Sequence, residues 1–238
     1  PKPEKQGLVS FKFSKMQDCL DAIRETYQHQ VNPAVVRIYD KIETERHFAT
    51  TMKHIKDKIM VVFVCEGPRD VVDLEVKVTK DKCMKYNGED TGEVPVHHWF
   101  ETRFSVKESS EYGPYGLVFD TIEVSCMWDK ANELYETVCK KILEVPGAVM
   151  ASGHASHFYT TGVCWYFTFG GTPRENQTPL ELYNSCWDAA IKATLSLGGA
   201  ISHHHGIGVN RTRWMKKEHQ EEFSLLKRIK SLIDPNKI

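Results

Sequence analysis

The segment that most constrains the fold is residues 163–169, a run of valine, cysteine, threonine and aromatic side chains that ends at two glycines. β-branched and aromatic side chains favour strands, so this run predicts the strongest strand of the chain. A continuous apolar run over residues 59–65 predicts another strand, buried on both faces. Further strands are predicted over residues 8–13, 34–39, 117–127, 148–150 and 200–201.

Segments with helical periodicity connect these strands. Helices are predicted over residues 16–27, 69–84, 129–145, 178–198 and 211–233. Ser14 is the predicted cap of the first helix and Pro68 the predicted first residue of the second. Residues 88–92 and 109–116 are predicted loops. Strand–helix–strand units with alternating strands predict an α+β fold, in which a mainly antiparallel sheet of six or seven strands is covered by helices on one face.

Composition limits the kinds of partner. The chain has 31 lysine and arginine residues against 32 aspartate and glutamate residues, so no overall field recruits nucleic acid. No apolar run approaches the roughly 18 residues of a membrane span, and we predict no transmembrane helix. The seven cysteines are scattered without paired spacing, which predicts reduced thiols in an intracellular compartment.

Three adjacent histidines, His203, His204 and His205, stand immediately before Gly206 and a second glycine, Gly208. Imidazole titrates near neutral pH, and glycine lets the backbone approach a ligand closely. The motif lies between a predicted strand and a charged helix, where loops commonly carry functional residues. It therefore predicts a site of proton transfer and substrate polarisation. If the segment is extended, His203 and His205 point one way and His204 the other.

Two other interpretations of this triplet are open. The histidines could be ordinary surface or core residues. His203 and His205 could instead share a metal ion, but the chain has no His-Glu-x-x-His motif and no Cys-x-x-Cys pair to complete a site. We predict no metal site.

Residues 97–103 form an aromatic and basic cluster that ends at Arg103. The composition of this cluster is equally compatible with a short helix that caps the core. A guanidinium group holds carboxylate or phosphate through two parallel hydrogen bonds, so Arg103 is the candidate substrate-binding cation. Arg211 and Arg213 are alternative cations, and we interpret both as surface charges.

Three segments together carry a resemblance to a known family: HHHGIG at 203–208, YTTGVCWYF at 159–167 and WFETR at 99–103. They resemble the C-terminal half of the alkyldihydroxyacetonephosphate synthases, flavoproteins of the vanillyl-alcohol-oxidase superfamily. The resemblance covers nearly the whole chain and implies an FAD-linked oxidase C-terminal cap fold. It implies that residues 1–238 are a substrate-binding or cap domain, a fragment that lacks an upstream FAD-binding domain.

The resemblance also implies the roles of individual residues. It places the family's catalytic tyrosine at Tyr166, which composition alone would make a core residue. It implies catalytic roles for His203, His204 and His205, and contacts of His204, His205 and Gly206 with FAD. Because tyrosine is a poor base near neutral pH, Tyr166 needs a cationic neighbour or serves as an acid.

The implied reaction exchanges the acyl chain of acyl-dihydroxyacetone phosphate for a long-chain fatty alcohol, which makes the ether bond of ether lipids. FAD is the implied cofactor and acts as an electron sink without net redox change. The implied setting is a peroxisomal or glycosomal homodimer with peripheral membrane association.

Two other functions stay open. FAD-linked 2-hydroxyacid oxidases and dehydrogenases share this cap architecture, but they usually carry Gly-Glu-His in place of the triplet and often a Gly-Asp-Gly-Asn-x-His metal signature. Neither motif is present in this chain. A non-enzymatic binding module would need only the sheet and a pocket. Flavin-dependent turnover would distinguish an enzyme from such a module.

Overall fold

A computed structural model describes residues 2–105, 116–236 and 238. The strands within these residues are β1 Lys5–Phe13, β2 Val35–Tyr39, β3 Ile59–Gly67, β4 Glu89–Asp90, β5 Val118–Met127, β6 Ala148–Phe158 and β7 Gly162–Gly171. They form one sheet in the order β4-β1-β3-β2-β6-β7-β5, and each neighbouring pair is antiparallel. The predicted α+β class with an antiparallel sheet is confirmed.

The helices of the described residues are α1 Met16–Gln28, α2 Lys41–Phe48, α3 Arg69–Lys85, α4 Val94–Thr102, α5 Ala131–Leu143, α6 Pro179–Ser196, α7 Gly208–Arg211, α8 Met215–His219 and α9 Glu222–Ile233. Thr178 begins α6 through a capping box with Glu181, in which each side chain accepts a backbone N–H of the other residue. Within the described part of the chain, no helix is long and apolar enough to cross a membrane.

The main core lies between one face of the sheet and helices α1, α3, α5 and α6. Large aromatic side chains such as Phe11, Phe63 and Trp165 are completely buried there. Each such side chain contributes roughly 1.5–3 kcal/mol of transfer free energy. A smaller cluster on the opposite face packs Phe48 of α2 and Val96 of α4 against β3. The sheet is therefore covered by helices on both faces around β3, and the expectation of helices on one face only is wrong there.

Three local predictions are wrong in the first half of the chain. Ser14 does not cap α1, because Lys15 holds the cap position without a side-chain bond and the Ser14 hydroxyl accepts a hydrogen bond from Lys58. Pro68 is the N-cap of α3 and not its first helical residue. The predicted loop 88–92 contains β4, which pairs Asp90 with Phe11 at the edge of the sheet.

The remaining differences concern short or interrupted elements. Helix α2 was not predicted, because it is short and polar. Asp40 caps this helix by accepting a hydrogen bond from the Glu43 backbone N–H. The predicted strand at 200–201 is a single bridge between Ala200 and Ser125. The predicted helix 211–233 is broken into several pieces, with a left-handed backbone at Gln220. The predicted loop 109–116 lies outside the described residues, apart from its last residue.

Candidate active site

Alternation along β7 assigns its side chains to two different environments. Trp165 and Phe167 point into the helix-side core, whereas Tyr166 and Thr168 point to the opposite face. Around Tyr166 that opposite face of β5, β6 and β7 carries mostly polar side chains. We call it the polar face, and its members are Glu123, Ser152, His154, His157, Cys164, Tyr166 and Thr168.

The carboxylate of Glu123 organises the histidine triplet. Glu123 on β5 lies opposite Tyr166 on β7, and its side chain has no exposed surface. The backbone N–H groups of His203, His204 and His205 donate to its two oxygens, at 2.9, 2.7 and 3.2 Å. The segment therefore bends around one carboxylate, and the expectation that an extended triplet alternates its side chains does not apply.

The charge of Glu123 is stabilised where it lies. Burial alone would raise its pKa, but the three backbone donors outweigh burial and lower the pKa to about 2. Arg211 adds a guanidinium group 3.8 Å from the carboxylate, and it donates to the backbone oxygens of Glu123, Ile201 and Gly206. Since Arg211 is only 7% exposed, its interpretation as a surface charge is wrong.

The hydroxyl of Tyr166 lies between two imidazole rings. Its oxygen is 3.1 Å from Nδ1 of His157 and 3.2 Å from Nε2 of His204. Nδ1 of His204 is 2.7 Å from Glu123, which favours a proton on that nitrogen and leaves Nε2 to accept the phenol proton. A phenol has one proton, so His157 then donates its Nδ1–H to the Tyr166 oxygen.

Burial determines the protonation states of this group. It raises the pKa of Tyr166 well above the usual range for a phenol, so the hydroxyl is protonated at neutral pH. Burial, followed by the nearby His204 and His203, lowers the pKa of His157, and burial also lowers the pKa of His205. Tyr166 therefore carries its proton at neutral pH, a state that is compatible with the acid role among the two roles predicted for it.

His157 reaches Tyr166 because β6 contains a bulge. Ala155 pairs with Trp165, but His157 pairs with Cys164, so Ser156 is an extra residue in the strand. Without this bulge, strict alternation would turn His157 towards the helix-side core. Nothing in the sequence predicts this bulge, so His157 could not be predicted as a site residue.

The other predicted residues of the motif have distinct positions. His203 brings its Nδ1 to 2.9 Å from Nδ1 of His204. His205 places its ring edge-on to Tyr166, with the ring centroids 5.7 Å apart. Gly206 has a left-handed backbone with φ of 76°, and its carbonyl accepts hydrogen bonds from Ser202 and Arg211. The structure thus brings Tyr166 and the whole triplet together.

Arg103 lies apart from these residues. It follows the last turn of α4 and is exposed, which agrees with the short-helix interpretation of its segment. The contacts that the described residues give it are the Phe100 carbonyl and the rings of Trp99, Phe100 and Phe104. Arg213 is exposed and packs on Trp214, as expected of a surface charge.

A second arginine, Arg37 on β2, acts on the polar face. Its positive charge contributes to lowering the pKa of both His154 and His157, after burial and closer groups. The guanidinium carbon lies 5.2 Å from the centre of the Tyr39 ring, and its buried Nε has no hydrogen-bond partner among the described residues. Arg37 is not predictable as a site residue, since nothing in a short apolar strand distinguishes it.

Four side chains of the site could approach a common metal ion. The ligand atoms of Glu123, Cys164, His203 and His204 lie within 4.8 Å of one another. The Glu123 oxygens already accept three backbone N–H groups and the Ser202 hydroxyl. Burial raises the pKa of Cys164 to about 12, so its thiol is protonated. We therefore interpret the group as a hydrogen-bonded cluster.

Comparison with known proteins assigns the fold to a family. The model of the FAD linked oxidases, C-terminal domain, matches residues 2–238. The chain belongs to this family. The match confirms the resemblance drawn from the three sequence segments, and it confirms FAD as the cofactor of the family.

Curated relatives match the chain along its whole length. An FAD-linked oxidoreductase of Escherichia coli K12, YgcU, whose function is uncharacterised, is 27% identical over 99% of the chain and 51% of its own length. The alkyldihydroxyacetonephosphate synthase of Caenorhabditis elegans is 27% identical over 100% of the chain and 45% of its own length. The chain therefore spans about half the length of these relatives.

A solved structure shows the same fold. The chain matches an alkyldihydroxyacetonephosphate synthase with a TM-score of 0.71 and 20% identity, over 98% of this chain and 44% of that one. At this identity the match supports the fold alone.

Proposed function

We propose that this chain is the substrate domain of an FAD-dependent alkyldihydroxyacetonephosphate synthase, and that it acts beside a separate FAD-binding domain. The observation that carries the proposal is the Tyr166 hydroxyl, held between His157 and His204 on the polar face. Relatives named as this synthase match the chain over 99% or more of its length. The homodimer, the membrane association and the peroxisomal or glycosomal location stay predictions from the resemblance.

The exposed part of the triplet segment, beside the polar face, fits a flavin ring. The His204 side chain is 42% exposed, and His205 and Gly206 beside it are also exposed. An isoalloxazine ring offers flat surfaces and several acceptor atoms, which suit aromatic rings and N–H donors. When bound, FAD supplies an electron sink for the carbon at which the substituent is exchanged. His204, His205 and Gly206 are the residues that would contact it.

Tyr166 and the neighbouring histidines carry out the proton transfers of the proposed reaction. The reaction requires an acid for the departing carboxylate and a base for the incoming alcohol. Tyr166 has its proton at neutral pH and can donate it, while the Nδ1–H of His157 is in place to return a proton to the phenol oxygen and Nε2 of His204 is in place to accept one. Glu123 fixes the orientation of the His204 ring through its contact with Nδ1.

A phosphate group on the substrate requires a cation. Arg103 remains the predicted partner, and its exposed guanidinium group among aromatic rings is free of any carboxylate within the described residues. Arg37 is a second candidate, because its charge acts on the same face as His157. A charge-removing substitution at the true phosphate partner should raise KM for the phosphorylated substrate more than it lowers kcat.

A second candidate function is an FAD-linked oxidoreductase. The observation in its favour is the match to YgcU, which is named as such a protein. In that case the neutral imidazole of His157 would accept a proton from a hydroxyl substrate, and the protonated Tyr166 would only donate a hydrogen bond to that substrate.

One assay separates these functions. The polypeptide that joins this chain to its FAD-binding domain would be incubated with acyl-dihydroxyacetone phosphate and a labelled fatty alcohol, and ether product would be measured by mass spectrometry. A parallel reaction would follow reduction of a dye by 2-hydroxyacids. Ether formation that is lost in Tyr166→Phe supports the synthase. Dye reduction without ether formation refutes the synthase and supports the oxidoreductase.

A further inference from the structure

A buried carboxylate lies behind the polar face and has no role in the proposed proton transfers. Glu43 is the third residue of α2, and its side chain has no exposed surface. The hydroxyls of Ser152 and Thr168 donate to its Oε1 at 3.3 and 3.2 Å. Arg46, one turn along α2, lies 3.4 Å from the same oxygen. Glu43 thus connects α2 to strands β6 and β7.

The other oxygen of Glu43 faces a histidine of the polar face. Nδ1 of His154 lies 3.1 Å from Oε2 of Glu43, and the contact is electrostatic, since neither atom has a hydrogen-bond partner among the described residues. His154 on β6 pairs across the sheet with Tyr166 on β7. Their rings are stacked almost parallel, with centroids 4.8 Å apart and planes inclined by 6°. The His154 ring therefore lies between the carboxylate and the phenol.

The charges on this pair are defined by the groups around it. Burial opposes the ionisation of Glu43, but His154, Arg46 and His47 outweigh it and lower its pKa to about 2. Burial lowers the pKa of His154, and the Glu43 carboxylate opposes this shift. The charged or titratable groups that face His154 are Glu43, Arg46 and His47 of α2, Arg37 and Tyr39 of β2, and Tyr166 of β7.

Burying a carboxylate behind an imidazole is costly, and apolar residues of similar volume would commonly serve stability as well or better. The hydrogen bonds that join Glu43 to β6 and β7 use only Oε1, and they do not account for the His154 ring beside Oε2. A stacked ring, by contrast, limits the rotation and tilt of the phenol that it covers. For proton transfer, the Tyr166 oxygen must stay within about 3 Å of two different nitrogens. Residues packed behind the phenol ring are needed to hold the oxygen in that position.

We propose that Glu43 and His154 are positioning residues for Tyr166. Glu43 fixes the plane of the His154 ring, and that plane fixes the phenol so that its oxygen stays between His157 and His204. The geometric part of this inference concerns the chain alone, and only its kinetic consequence rests on the proposed function.

The geometric part can be tested by NMR of the 238-residue chain with labelled tyrosine rings. The Tyr166 signals would be assigned by their loss in Tyr166→Phe. In the unaltered chain they should show the upfield shift of a stacked ring and slow ring flipping. A freely flipping Tyr166 ring without that shift would overturn the proposal without any further variant.

Two substitutions then separate the contributions of the pair. His154→Gln should remove the upfield shift, and Glu43→Gln should reduce it, while signals of the distant Tyr183 stay in place. His154→Phe retains a flat ring without the Glu43 contact and should restore part of the shift. Matched controls are His29→Gln and Glu45→Gln, at exposed positions. If the Tyr166 signals are unchanged in both His154→Gln and Glu43→Gln, the proposal is wrong.

A kinetic measurement addresses the consequence for turnover. In the FAD-loaded enzyme, His154→Gln should lower kcat for alkyl transfer by about a hundredfold with KM nearly unchanged, as expected when a reacting group is misplaced. Unchanged kcat, despite the NMR effect, would overturn the positioning role. If the unaltered enzyme makes no ether, the proposed function fails, and the NMR result still decides whether the pair holds Tyr166.

Discussion

Glu123 and Tyr166 occupy directly opposed positions on β5 and β7, and this pairing places the anchor of the histidine triplet beside the tyrosine. The carboxylate accepts the backbone N–H groups of the triplet, so the histidines are held above the strand that carries the tyrosine. A shift of register by one residue would turn Glu123 towards the helix-side core and leave the triplet without its anchor. The geometry of the candidate site thus depends on the register between β5 and β7.

The first prediction concerns the stability that Glu123 provides. Its pKa in the folded protein is about 2, below the ordinary value of 4.5. A depressed pKa means that the stabilisation is fully present above pH 4.5 and is lost as the pH falls towards about 2. The difference corresponds to roughly 3 kcal/mol. Glu123→Gln should lower the free energy of unfolding at neutral pH and flatten this acid-side decline.

Urea unfolding at a series of pH values measures this effect. Glu101→Gln is the matched control, since Glu101 is exposed at the end of α4. Equal acid-side slopes for Glu123→Gln and the unaltered chain would contradict the assigned role of the carboxylate.

The second prediction concerns Tyr166. Conversion to Phe removes only the hydroxyl, so the ring should remain stacked on His154. Alkyl transfer by the FAD-loaded enzyme should fall by about a hundredfold or more, as expected for a lost proton-transfer group. The free energy of unfolding should change by only about 1 kcal/mol, the usual contribution of a hydrogen bond. A large loss of thermal stability with little loss of rate would instead support a core role.

The main elements of the fold follow from local patterns in the sequence. The apolar run of β3 and the aromatic run of β7 predict strands because each is long and strongly apolar. The predicted opening of α6 is confirmed because Thr178 and Pro179 are a local start signal. Helix α2 could not be predicted, since it is short and polar and owes its position to the Asp40 cap and the buried Glu43.

The third prediction concerns the triplet. Backbone N–H groups bind Glu123, so His204→Ala and His205→Ala should leave that loop in place. Loss of the His204 ring removes an acceptor of the Tyr166 proton, and loss of His205 removes a ring packed on Tyr166. Each substitution should cripple alkyl transfer, and for His204→Ala we expect a loss of about a hundredfold or more.

Circular dichroism of both triplet variants should match that of the unaltered chain. His29→Gln, at an exposed histidine, controls for loss of an imidazole in general. Near-normal turnover in both triplet variants would refute the assignment of the site.

The candidate site was predictable only where it is contiguous in sequence. His203, His204 and His205 are recognisable in the sequence because they are three adjacent histidines. The resemblance to the family predicts Tyr166. Glu123 and His157 become site residues through cross-strand register and through the bulge in β6, which no local pattern encodes. Arg211 resembles its neighbour Arg213 in sequence, yet the two lie on different sides of a helical turn, which buries one and exposes the other.

The last prediction is that the 238 residues fold alone but neither retain FAD nor form ether bonds. The site lies on an open face, with His204 and His205 exposed, so this chain can cover only one side of a flavin. The Gly206 and Gly208 pair is too short for a phosphate-binding glycine-rich loop, which needs a third glycine and a strand–helix unit. Ligand sites of this kind usually form between two domains. Absorbance in the flavin bands after purification, or alkyl exchange on addition of FAD, would show that this chain binds the cofactor by itself.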